Sequence, residues 1–164
     1  GEIGEVISKS PLNMKGYWNR PDATEEAIKD GWFYSGDAGF FDEEGYLYIH
    51  DRVKDMIVSG GENIYPAEVE NALMSHPEIA DAAVIGVPDD KWGESVKGFV
   101  VLQPDSNLDE TEIISYTRTQ IAGYKCPKTI NFIEALPRNP SGKILRRELR
   151  EPFWEGKDRM VSGN

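Results

Sequence analysis

From Asp51 to Glu70 the chain reads DRVKDMIVSGGENIYPAEVE, and its character changes along the way. A charged opening gives way to apolar Met56, Ile57 and Val58, and Gly60 and Gly61 then stand just before an extended segment. Paired glycines ordinarily mean only a turn. Pro66 suits the first turn of a helix, where its missing N–H costs nothing. Val69, Ala72 and Leu73 recur at helical spacing to make one apolar face.

The stretch separates two halves of different texture. Upstream, GEVIS reads as a strand, DATEEAIKDG as a short helix stopped by Gly31, and AGFFDEEGYLYIHD as two strands joined by a DEEG turn. Downstream the elements alternate. Strands through DAAVIGVP and VKGFVVLQP are followed by a helix and then by a strand through KTINFIEAL. In that helix Asp109 can cap while Glu112 reaches back as in a capping box, and Ile113, Thr117 and Ile121 line the buried side. The second half is a small α+β domain behind a strand-rich segment.

The 164 residues, 39% of them hydrophobic, are enough for one domain or two small ones. The net charge of −11 speaks against nucleic acid, which needs clustered Lys and Arg. The acid excess is uneven, for residues 125–159 hold 9 of the 18 bases and 5 of the 29 acids. A solvated helix face is the ordinary reading of Arg146 and Arg147. Cys126 is the sole cysteine, and His50 and His76 lie far apart in sequence. Neither a disulfide framework nor a zinc spacing can be assembled from them, so no metal ligand is expected. A reducing, cytoplasmic compartment fits, with peripheral membrane association compatible. No run approaches the roughly 18 apolar residues of a membrane span, and no signal segment opens the chain. The start at Gly1, without methionine and inside a strand-like phrase, suggests a piece of something longer, although processing or a cloning remnant would look the same.

Chemistry is expected where this grammar breaks. YSGD at Tyr34–Asp37 is by itself a turn more often than a ligand site. LPRNPSGKILRREL, Leu136–Leu149, holds Lys143 on a stalk of Pro, Ser and Gly that fits no ordinary secondary structure. Together with GYWNRP, GWFYSGD, the Asp51–Glu70 stretch and YKCPK, in that order, these phrases resemble the C-terminal third of adenylate-forming enzymes. That group holds acyl-CoA synthetases, peptide-synthetase adenylation domains and luciferases. The resemblance runs from Gly1 to about Arg150. Departures such as Ser35 for Thr and Asp51 for Gly, with GENIYPAEVE, tilt it toward acyl-CoA synthetases.

The resemblance implies an incomplete, strand-rich end of a large AMP-binding domain over residues 1–52, a mobile α+β lid over 53–150, and a tail over 151–164. Asp37 matches the acid that grips both ribose hydroxyls of the nucleotide, as suits a carboxylate that only accepts hydrogen bonds. Arg52 matches the arginine contacting the same ribose. Lys54 matches the hinge. Gly60 and Gly61 match the segment lining the channel for the pantetheine arm of coenzyme A. Lys143 matches the lysine brought to the carboxylate and the α-phosphate, where a cation stabilises charge gathered in the transition state.

The implied cofactors and partners are ATP, Mg2+, coenzyme A, a carboxylic acid (a fatty acid by the tilt above) and the large domain. No phosphate-holding loop is present in the sequence, so the chain alone is expected to be inactive. A peptide-synthetase adenylation domain and an aryl-CoA ligase are the neighbouring alternatives. A non-catalytic interaction module with the lid fold is the alternative of another class, and Asp37, Arg52 and Lys143 together argue against it.

Overall fold

The computed structural model describes residues 1–157, and the chain divides between Lys54 and Asp55 into two compact units. The architecture is α+β. The first unit runs β1 (Gly4–Ser8), α1 (Pro21–Ala27), β2 (Ile28–Lys29), β3 (Trp32–Phe41) and β4 (Leu47–Arg52). β3 is the centre of its sheet and pairs antiparallel with each of the other three strands. The helix expected to reach Gly31 stops at Ala27. Ile28 and Lys29 pair instead with Phe33 and Trp32 around Asp30 and Gly31, both at positive φ (52° and 78°). An Asp-Gly pair between extended residues is the two-residue hairpin signal, and here it wins over helical continuation. Only Ala38 and Gly39 are buried in this unit. The sheet therefore has no core of its own.

A 3-10 turn, Val53–Asp55, runs across the division, and the second unit continues β5 (Ile57–Ser59), β6 (Glu62–Ile64), α2 (Pro66–Met74), β7 (Ile79–Asp89), β8 (Gly93–Leu102), α3 (Glu110–Gln120), β9 (Thr129–Phe132) and α4 (Arg146–Trp154). Its sheet has the order β6-β5-β8-β7, with β9 parallel to β8. Alternation along β7 and β8 supplies two apolar faces. Ala82, Val84, Val96 and Val100 pack with Val69 and Leu73 of α2 and Ile113 of α3. Ala83, Ile85 and Phe99 point the other way, toward Leu149 and Phe153 of α4. Helices thus cover both faces.

The capping box of α3 forms as read. Glu112 N donates to Asp109 Oδ1 at 2.8 Å, and Asp109 N donates to Glu112 Oε2 at 3.0 Å. Ile113 and Thr117 are buried, whereas Ile121 follows the helix end and is only partly buried against the same core.

α4 departs most from expectation. Arg147 is exposed, but Arg146 is not on a solvated face. Arg146, Leu149, Arg150 and Phe153 recur at three and four residues, the spacing of one helix stripe, and that stripe faces inward. Arg146 Nη2 donates to Glu70 Oε1 and Oε2 at 2.8 and 2.7 Å, and Arg150 Nη2 donates to Asp55 Oδ1 at 3.2 Å. The helix continues to Trp154, whose Nε1 donates to Gly86 O at 3.0 Å, so the segment read as a tail from 151 begins as helix. Residues 158–164 of that tail lie outside the described residues. Among the described residues no helix is long and apolar enough to cross a membrane.

Candidate functional site

YSGD is built as a bulge. Glu5 pairs with Ala38 and Ile7 with Tyr34, so Val6 alone faces Ser35, Gly36 and Asp37. Side chains replace the lost ladder bonds. Ser35 Oγ donates to Val6 O at 2.7 Å and accepts from Asp37 N at 3.0 Å, while Gly36 N donates to Glu5 Oε1 at 2.9 Å. Bulges re-aim side chains, and this one presents Asp37 beside its register partner Arg52 on β4. Arg52 Nη1 donates to Asp37 Oδ1 at 2.5 Å and to Ser35 O at 3.3 Å. The two side chains stay about a third exposed, at 33% and 37%, so the pair is open to a ligand. What it offers is a carboxylate acceptor and a guanidinium donor side by side, a combination suited to vicinal hydroxyls.

Lys54 is the last residue of the first unit and is exposed; Asp55, next to it, is buried and held by α4. Beyond it, Gly60 and Gly61 are the two turn residues between β5 and β6, with φ of 61° and 86°. A two-residue hairpin turn with positive φ at both positions favours glycine. The two are not equivalent. A Cβ on Gly60 would lie 2.7 Å from Trp92 Cε3, whereas one on Gly61 would meet nothing within 4 Å. Gly60 N also donates to Trp92 O at 2.9 Å, fixing the turn against the β7–β8 connection. Gly61→Ala is expected to cost about 1–2 kcal/mol, the usual penalty of the left-handed region. Gly60→Ala should cost more, since the Trp92 ring must also move. Urea midpoints of the two variants check the order; equal losses would remove Trp92 from the account.

The stalk of Lys143 is not loose. Asn139 Oδ1 accepts Ser141 N at 3.0 Å, Ser141 Oγ at 2.8 Å and Lys143 N at 2.9 Å. Gly142 N donates to Asn139 O, and Asn139 N to Lys143 O, both at 2.9 Å. The loop is thus closed around one asparagine, with Gly142 at φ 83° completing the turn. Arg138 grips it from outside: Nη1 donates to Gly142 O and Nη2 to Asp81 Oδ2, each at 2.6 Å. Lys143 itself is exposed, and among the described residues no partner holds its Nζ.

Two other titratable groups lie away from these features. Burial pushes the Lys97 pKa down and the Cys126 thiol up, and Lys97 Nζ donates to Thr129 Oγ1 at 3.0 Å. A thiol raised in this way is inert rather than nucleophilic. Among the described residues no group of three His, Cys, Asp or Glu side chains is placed to hold a metal ion.

Residues 68–143 match the family described as the AMP-binding enzyme C-terminal domain. That segment of the chain is an AMP-binding enzyme C-terminal domain. Feruloyl-CoA synthase of an Amycolatopsis species is 53% identical over 153 residues, covering 93% of this chain and 31% of that protein. A long-chain-fatty-acid–CoA ligase of Mycobacterium tuberculosis is 52% identical over 150 residues, covering 92% of this chain and 30% of the relative. The ATP-bound structure of MatB from Rhodopseudomonas palustris superposes with a TM-score of 0.86 at 38% identity, over 96% of this chain and 32% of the other. The chain therefore spans about a third of the length of the relatives it matches.

Within the second unit, the sequence points to Lys143 but not to Asn139, Arg138 or Asp81, and to the glycine pair but not to Trp92. In the unit before it, the sequence points to Asp37 and Arg52 but not to Glu5, which the structure brings to the same bulge. Asp81, Trp92 and Glu5 act through contacts with residues more than thirty positions away, which no spacing encodes. Asn139 alone carried a signal, since an Asn two residues before Ser-Gly is a common Asx-turn former.

Proposed function

We propose that this chain is the C-terminal part of an ATP-dependent acid–thiol ligase. The whole enzyme would activate a carboxylic acid, in our reading a fatty acid, as acyl-adenylate and pass the acyl group to coenzyme A. The carrying observation is the Asp37–Arg52 pair, presented by bulged strands in a sheet with no core of its own. Such a sheet needs a larger body to cover Trp18, Tyr48 and Ile49, which are 96%, 50% and 58% exposed. Asp37 would accept the ribose hydroxyls and Arg52 would donate to the same ribose. Lys143 would stabilise charge at the α-phosphate during adenylate formation. Lys54 would be the pivot between the units, and the Gly60–Gly61 turn, open at Gly61, would admit a close-lying pantetheine chain. Among the described residues no three His, Cys, Asp or Glu side chains stand together to hold Mg2+.

Relatives of nearly equal identity are named for fatty and for aryl acids. Pyrophosphate release by the full-length enzyme across a panel of both acid classes distinguishes them. The chain alone, holding half of a site, should release none.

Asp37→Ala tests the nucleotide assignment. A hydrogen bond to a charged group contributes about 1.5–3 kcal/mol, and one such loss at this partly exposed position should weaken ATP binding roughly tenfold to a hundredfold. Unchanged ATP affinity by calorimetry would remove Asp37 from the site. The control carboxylate is Glu43, which is exposed. Asp42 is unsuitable, because its Oδ1 accepts Glu44 N and Tyr46 N at 3.0 and 2.8 Å and holds the β3–β4 turn together.

A further inference from the structure

We propose that Asp81 and Arg138 are positioning residues for Lys143, an inference that rests on the reading of Lys143 as the lysine of adenylate formation. The peptide unit joining Gly142 to Lys143 is held at both of its polar atoms. Its oxygen, on Gly142, accepts Arg138 Nη1 at 2.6 Å, and its N–H, on Lys143, donates to Asn139 Oδ1 at 2.9 Å. A peptide is planar, so fixing both atoms fixes the plane from which the Lys143 side chain departs.

The outer hold is anchored in the sheet. The second branch of the Arg138 guanidinium donates to Asp81 Oδ2 at 2.6 Å, and Asp81 Oδ1 accepts Ala82 N at 3.0 Å on β7. Ile79 pairs with Leu102 but Asp81 with Val101, a register irregularity of the kind that re-aims a side chain. Arginine is suited to this bridge because its rigid planar fork keeps two acceptors at a set separation, which lysine cannot do.

The pair has little else to do. Asp81 and Arg138 are 27% and 41% exposed, and ion pairs that exposed contribute little to folding. A bond that weak in stability, made to the carbonyl immediately before Lys143, acts on the direction of the lysine rather than on the persistence of the fold.

The test uses the full-length enzyme and four variants: Arg138→Gln, Asp81→Ala, the double variant and Lys143→Ala. Two half-reactions are measured for each, pyrophosphate release without coenzyme A and thioester formation from synthetic acyl-adenylate, alongside the thermal midpoint. Each single brace variant should slow adenylate formation by about tenfold to a hundredfold, the range an ångström of misplacement produces. Thioester formation and the midpoint should stay as in the parent. The double variant should be no slower than the worse single, since both break one chain of contacts. Equal loss in both half-reactions, a lowered midpoint that accounts for the loss, additive effects or an unaffected rate would each overturn the brace. Should Lys143→Ala slow adenylate formation while the brace variants do not, the brace alone fails. An unaffected rate in Lys143→Ala overturns the lysine assignment, and the brace with it.

Discussion

Lys143→Ala is expected to slow acyl-adenylate formation in the full-length enzyme by about a hundredfold or more. That is the usual loss for one aimed transition-state donor, roughly 2.7–4 kcal/mol. The same variant should convert preformed acyl-adenylate and coenzyme A to thioester at the parent rate. The opposite pattern is expected of Gly61→Leu, because a Cβ at Gly61 enters open space and a leucine there would extend into the path proposed for the pantetheine arm. Gly60→Leu would not serve, since its side chain runs into Trp92 and would report on packing. Leucine at a φ of 86° also carries backbone strain, so the unfolding midpoint of Gly61→Leu belongs beside its rates. If both variants lose the same half-reaction, the assignment of one half-reaction to each end of the domain is wrong.

The closed loop around Asn139 changes how that experiment is understood. A lysine on a slack tether would sample many directions, and the chemical step would bear the entropy of aiming it. Here the backbone at Lys143 is fixed on both sides and only the side chain is free. Movement of the charge beyond the reach of that side chain must then come from movement of the second unit as a body, the motion for which Lys54 is proposed as the pivot.

Fold and site were legible in the sequence to different depths. Strands β7 and β8, α2 and the capped α3 follow from local grammar: periodicity, a proline at N1, an Asp and a Glu three residues apart. α1 was overextended because Asp30–Gly31 serves equally as a helix stop and as a hairpin turn, and only pairing with β3 decides between them. Arg146 and Arg147 look alike in sequence, and which one faces inward depends on the phase of α4 against the sheet. The features of the candidate site that went unread, Glu5 in the bulge, Trp92 beside Gly60, and Arg138 with Asp81, are all long-range partners. Their bonds span from 31 residues for Glu5 to 57 for Arg138 and Asp81, far outside any motif.

The misread arginine gives the largest expected effect on stability. Arg146 and Glu70 side chains are 16% and 11% exposed, and their bonds of 2.7 and 2.8 Å join α4 to α2. Glu70 Oε1 also accepts Val84 N at 2.8 Å, so one carboxylate ties two helices to β7. Asp55, the first residue of the unit, joins the cluster through Arg150 at 3.2 Å and Arg146 at 3.9 Å. Removing one partner of a buried ion pair leaves the other charge without compensation, which costs about 3–5 kcal/mol. Arg146→Ala should therefore lower the unfolding free energy of the second unit by about that amount. Arg147→Ala, one residue away but exposed, should stay within roughly 0.5 kcal/mol of the parent. Chemical denaturation followed by tryptophan fluorescence checks both, since Trp154 is bonded to Gly86 O and reports the release of α4 from the sheet. A double replacement by apolar residues of similar volume, Arg146→Met with Glu70→Leu, should recover part of the loss, because burying two charges is itself costly. It should not recover all of it, for the Val84 N–H then loses its acceptor. If Arg146→Ala and Arg147→Ala prove equally mild, α4 is held by Leu149 and Phe153 alone, and the charged cluster beside Lys54 contributes nothing to the rigidity of the unit that carries Lys143.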